Sequence, residues 1–171
     1  MRTTIKIVIL LFFICTSMSG TSSPDMEKYM RQHALIWEQL PMQWNEGAFL
    51  GNGLVGMMVY ADSTLNALVF HLGRPDVTDH RKAPYRKTSI GTEEADKMVD
   101  FCRLDIGKML LFPEGKILSG TFYLDIYNAE LTGHLKTDKG DLTFHAYTPQ
   151  PEEVNIVEVS SGIPYRWKGI P

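Results

Sequence analysis

Cysteine is scarce: two among 171 residues. That is too few for the disulfide frameworks that hold many small exported domains together. No excess of positive charge exists either. Lys plus Arg number 17 against 20 for Asp plus Glu, a formal net charge of −3, so nothing in the composition draws the chain onto nucleic acid or anionic lipid. Glycine and proline follow no period, which excludes collagen and low-complexity arrays. No glycine-rich dinucleotide loop follows an expected strand, and the chain has no Walker A loop, C-x-x-C pair or H-E-x-x-H motif. What remains is 44% hydrophobic residues in 171, enough for one compact domain around a single core.

The first segment reads as a targeting signal. Arg2 and Lys6 precede the apolar run Ile7 to Cys15, and the small residues Thr16, Ser17, Ser19 and Gly20 follow. Positive, apolar and small regions in that order define a secretory signal peptide, expected over residues 1–19. The run falls short of the roughly 20 residues that cross a bilayer as a helix. Bulky Phe13 and Ile14 before Cys15 disfavour lipoprotein processing. Cleavage removes two basic residues, which leaves 15 against 20 and a net charge of −5, and it leaves Cys102 alone. The expected location is secreted or periplasmic, with no membrane attachment after cleavage.

The mature chain is read as one domain over residues 24–160. A short helix is expected from Ser23-Pro24-Asp25 to about His33, with Ser23 as cap and acids in its first turn. Ala34 to Trp37 reads as an extended segment and Pro41 to Asn52 as a loop. Strands are expected over Leu54–Tyr60, Leu65–Leu72, Leu104–Phe112, Gly120–Tyr127, Leu131–Lys136, Asp141–Tyr147 and Val154–Val159. In the last of these, apolar parity slips at Ile156–Val157, which predicts burial on both faces or a bulge. Thr137-Asp138-Lys139-Gly140 predicts a hairpin turn. A basic loop, Gly73 to Gly91, precedes a helix over Thr92 to Cys102, whose Ala95, Met98, Val99 and Cys102 share one face. Strands joined by short turns, without alternating helices, predict a mainly β fold: an antiparallel β-sandwich, a partial supersandwich with one or two short helices. Residues 161–171 show no period and two prolines, and read as a truncated linker or loop.

The most specific stretch runs from Trp37 through Pro41, Trp44 and Glu46 to Leu50-Gly51-Asn52-Gly53-Leu54-Val55-Gly56. The glycines Gly51, Gly53 and Gly56 and Asn52 make a tight structural turn that enters a strand and lets backbones approach closely. The stretch resembles the N-terminal β-sandwich of glycoside hydrolase family 95 and its α-L-fucosidase-like relatives. Leu68 to Val77 and Arg103 to Met109 resemble further strands of the same domain. The resemblance covers roughly Trp37 to Tyr147. It implies a sandwich that precedes an (α/α)6 catalytic domain carrying the catalytic carboxylates. No position of this chain matches those carboxylates, so no catalytic residue, metal or cofactor is assigned.

Candidate contacts lie in the loops. Trp44 and Glu46 pair an aromatic face with a carboxylate, which suits stacking on a sugar ring and bonding its hydroxyls; they equally suit a loop anchor. Asp76, Asp79 and His80 cluster near Arg74 and Arg81, as a solvated loop, a sugar contact or, with few oxygen ligands, a cation site. His71 reads as a structural histidine. Two functions follow as expectations. One is an exported accessory domain of a family 95-like glycoside hydrolase, partnered by its missing C-terminal toroid and in contact with glycan. The other is an independent carbohydrate-binding module, with Trp44, Tyr85, Tyr123 and Tyr127 as platform candidates.

Overall fold

The computed structural model describes residues 25–78 and 104–171. The signal peptide expected over residues 1–19 and the helix expected over Thr92 to Cys102 lie outside them. The described chain is mainly antiparallel β, in two five-stranded sheets that stack as a sandwich. In chain order the elements are α1 (Met26–Arg31), β1 (Leu35–Trp37), a 3-10 turn (Trp44–Glu46), β2 (Ala48–Gly51), β3 (Gly56–Asp62), β4 (Ala67–Gly73), β5 (Lys108–Pro113), β6 (Ile117–Asp125), β7 (Glu130–Thr137), β8 (Gly140–Tyr147), β9 (Ile156–Ser161) and β10 (Tyr165–Ile170). One sheet has the order β1-β6-β7-β8-β9 and the other β10-β5-β4-β3-β2.

Period-two patterning decides which side chains meet. Leu131 and Leu135 on β7, Leu142, Phe144 and Ala146 on β8, and Phe122 and Leu124 on β6 turn inward from the first sheet. Ala48, Leu50, Met57, Val59, Leu68, Phe70 and Leu111 meet them from the second. Phe70, Phe122 and Phe144 lie among the largest fully buried side chains. Phe144 meets both of the others edge-on, at centroid distances of 5.4 and 5.5 Å. Burying each ring contributes about 1.5–3 kcal/mol, and edge-to-face pairs add about 0.5–1.5 kcal/mol.

Three expectations are corrected. Residues 161–171 are not a linker, because Tyr165 to Ile170 pair along β5 from Pro113 to Lys108. Trp167 sets its ring against Phe70 at 5.4 Å, and Arg166 lies over Phe112 at 4.0 Å. All six residues of β10 are exposed, so no burial pattern was available to read. Next, Ala48–Gly51 is a strand inside the stretch read as a loop. Four residues are too short to show a period, yet Ala48 and Leu50 are buried while Phe49 is exposed. Because β2 exists, Gly51-Asn52-Gly53-Leu54-Val55-Gly56 does follow a strand with G-x-G-x-x-G spacing. It leads into β3 rather than a helix, so it offers no helix N-terminus to hold a pyrophosphate. Finally, β9 pairs with β8 in unbroken register. Val157 and Val159 turn inward against the core, and Ile156 takes the outward side.

Short elements are fixed by polar links. Asp25 caps α1, its carboxylate accepting from Lys28 N at 3.2 Å. From the same helix, Arg31 donates to Asp125 at 2.7 Å. The almost buried Asp125 carboxylate also accepts from Tyr127 N, Asn128 N and Asn128 Nδ2. Burial pushes its pKa up, but those N–H donors and Arg31 outweigh burial and hold it below the ordinary carboxylate value. A depressed folded-state pKa stabilises above the unfolded value, near 3.9, and that stabilisation is lost as pH falls through the folded value. Stability measured by urea unfolding is therefore expected to fall below about pH 4. Asp125→Asn should flatten that acid limb and cost about 1–3 kcal/mol at neutral pH. An unchanged acid limb in the variant would assign it to other carboxylates.

Candidate functional site

Register on the outer face of the second sheet opens a groove. Gly51, Gly56 and Gly73 are direct cross-strand partners on β2, β3 and β4. Three side-chain-free positions in line leave a low floor beside the next row, Phe49, Met58 and His71. Trp44, from the 3-10 turn, and Arg74, Pro75, Leu104 and Asp105 complete a groove of about 690 Å³. Trp44 and Phe49 are 62% and 53% exposed, so the groove presents two aromatic rings to solvent.

The glycines differ in what they allow. A Cβ at Gly56 would meet the Leu50 carbonyl oxygen at 2.8 Å, whereas one at Gly73 would meet nothing within 4 Å. Gly56 therefore serves the close pairing of β2 and β3, and Gly73 serves the open floor. Gly53 has φ +90 and open space around it. Gly53→Val is accordingly strained by backbone conformation alone, and about 1–2 kcal/mol of stability should be lost in chemical denaturation. Asn52 binds this turn together. Its Oδ1 accepts from Leu54 N and Val55 N, and its Nδ2 donates to the carbonyls of Pro149 and Glu152, each at 2.8 Å. The turn is thereby tied to the β8–β9 connection.

The polar end of the groove is built around two clusters. His71 Nε2 lies 2.9 Å from Asp105 Oδ1, and Asp105 also accepts from Gly107 N at 3.0 Å. Burial raises the Asp105 pKa, but Gly107 N–H, His71 and Lys108 outweigh it and leave the group lowered. Its side chain remains 49% exposed, so acceptor lone pairs face solvent. Arg74 donates from Nε and Nη2 to both oxygens of Asp76, each at 2.9 Å, and from Nη1 to Glu153 at 2.6 Å. These bonds raise the Arg74 pKa and depress that of Asp76.

Of the expected contacts, Trp44, Gly53 and Gly56 line the groove. Asp76 sits behind Arg74 as its partner. Glu46 contributes its backbone instead, its carbonyl accepting from Trp37 Nε1 at 2.9 Å, and its side chain is not among the lining groups. Asp79 and His80 lie outside the described residues. Phe49, Met58, Gly73 and Asp105 were not among the expected contacts, and His71, expected as a structural histidine, lines the groove with them. Parity along β2–β4 carries the first three together with His71. Asp105 reaches the groove only by tertiary return, with Leu104 N donating to Val77 O at 3.0 Å.

Among the described residues, no group of three His, Cys, Asp or Glu side chains is placed to hold a metal ion, and no helix is long and apolar enough to cross a membrane. Compared with known proteins, the chain matches no family model and no curated protein.

Proposed function

We propose that this chain is an exported glycan-binding β-sandwich of the kind that accompanies the catalytic toroid in family 95-like glycoside hydrolases, without catalytic residues of its own. One observation carries the reading. Exposed Trp44 and Phe49 share a groove with an exposed carboxylate, a histidine and a guanidinium. A pyranose offers an apolar C–H face and a rim of hydroxyls. The first suits an aromatic plane, and the second suits the acceptors of Asp105 and the donors of His71 and Arg74.

The test is oligosaccharide binding by the mature chain, on an array and then by calorimetry. Trp44→Ala removes a half-exposed ring away from the core, so folding should persist while affinity falls about tenfold or more. Turnover of aryl glycosides is expected to be nil. Binding unaffected by Trp44→Ala would move the site elsewhere. Absence of binding to any glycan would sink the reading.

A further inference from the structure

We infer that the groove selects uncharged sugars and turns away uronates and sulfated sugars. The inference rests on the glycan reading and concerns the substrate class of the same site.

Recognition of an anionic sugar needs a guanidinium or ammonium free to face it, with the planar fork matched to carboxylate or sulfate oxygens. Among the described residues Arg74 is the guanidinium of the groove, and its fork is already matched. Asp76 takes Nε and Nη2 as a bidentate partner, and Glu153 takes Nη1 from the other side. Three of its five N–H groups are engaged. The two that remain can donate to hydroxyl oxygens, but the charge is compensated twice over. Lys108 lies 3.8 Å from Asp105, a looser ion pair without a hydrogen bond. Among the described residues at this end, two cations, Arg74 and Lys108, face three carboxylates, Asp76, Glu153 and Asp105. Even with His71 protonated the sum only reaches zero. From these described groups a carboxylate or sulfate in the groove would therefore meet no net attraction, and it would lie against the half-exposed carboxylate of Asp105. A neutral hydroxyl meets acceptors and donors in balance.

Asp76 and Glu153 thus act as selectivity residues from outside the groove, by occupying Arg74. Glu153 comes from the β8–β9 connection, the segment that Asn52 also ties down. The same loop that fixes the glycine turn therefore compensates the Arg74 charge.

The experiment uses the mature chain with galacto-oligosaccharides beside oligogalacturonides, and N-acetyllactosamine beside its 6-sulfate. The neutral member of each pair is expected to bind about tenfold more tightly at low salt, with the gap narrowing as added salt screens the exposed carboxylates. Asp76→Asn combined with Glu153→Gln frees the fork, so the gap should close or reverse while affinity for the neutral sugar stays within about threefold. Glu153→Gln alone leaves the Asp76 fork in place and should close part of the gap, which keeps the test informative if the double variant is unstable. A wild-type chain that binds the anionic members equally or better overturns the selectivity inference and leaves the glycan site standing. A chain that binds neither member of either pair, nor any other glycan on the array, overturns the site itself.

Discussion

Gly133→Val is expected to prevent the chain from folding to a soluble, cooperative species. Gly133 lies on β7, directly between Phe122 on β6 and Phe144 on β8. It faces inward, and a Cβ there would run into the Phe144 ring at its Cε1 and Cζ atoms. The missing side chain is what lets Phe122 and Phe144 meet edge-on across β7. Valine demands that Phe144 leave, and Phe144 also supports Phe70 in the facing sheet. Overpacking usually costs about 1–3 kcal/mol. Displacing a ring shared by both sheets places this case at about 4 kcal/mol or more, which approaches the whole stability of a small domain. Gly133→Ala should cost about 2–3 kcal/mol. Adding Phe144→Leu to it should recover part of that loss, because the smaller side chain makes room for the methyl group. Chemical denaturation of the three variants measures the effect. A folded Gly133→Val protein of normal stability would mean that the Phe122–Phe144 contact is not held as described.

Gly73→Phe is expected to abolish the proposed glycan binding and leave the fold intact. The position ends β4 on the groove side, with open space where a Cβ would stand and no left-handed backbone to strain. An exposed strand position of this kind accepts an aromatic residue with a stability change within about 0.5 kcal/mol. The ring then occupies the floor between Trp44 and the polar end. A loss of affinity of at least about 50-fold, about 2.3 kcal/mol, with an unchanged unfolding midpoint would locate binding in this groove. Retained affinity would place the ligand on another surface, because Gly73→Phe fills the groove without replacing any of its polar groups.

Much of the fold could be read in advance where strands are long and half-buried. Tyr123 and Asp125 alternate with Phe122 and Leu124, and Leu131 and Leu135 alternate with His134 and Lys136, so β6 and β7 announced themselves. The turn at Thr137–Gly140 was equally legible, and Gly140 takes φ +145 there. The signal failed at β2 and β10. One has four residues and the other is exposed along its whole length, so neither carries a period. Their pairing comes from β3 and β5, which offer free edges with a fixed register. The groove was legible in part for the same reason. Trp44 and the glycines stood out as residue types, but Phe49, Met58 and His71 become neighbours only when three strands align.

By itself, then, the sequence determined the class of fold, the inward faces of its long strands and the glycine turn. Local patterning records which side of a strand is buried, and turn residues record where the backbone must bend. The tertiary structure decided which rows face one another. It brought Gly73 into line with Gly51 and Gly56, carried Asp105 to His71 from 34 positions away, and set Glu153 against Arg74. Those juxtapositions depend on strand order and loop return, which leave no periodic trace along a chain because pairing is a relation between distant segments.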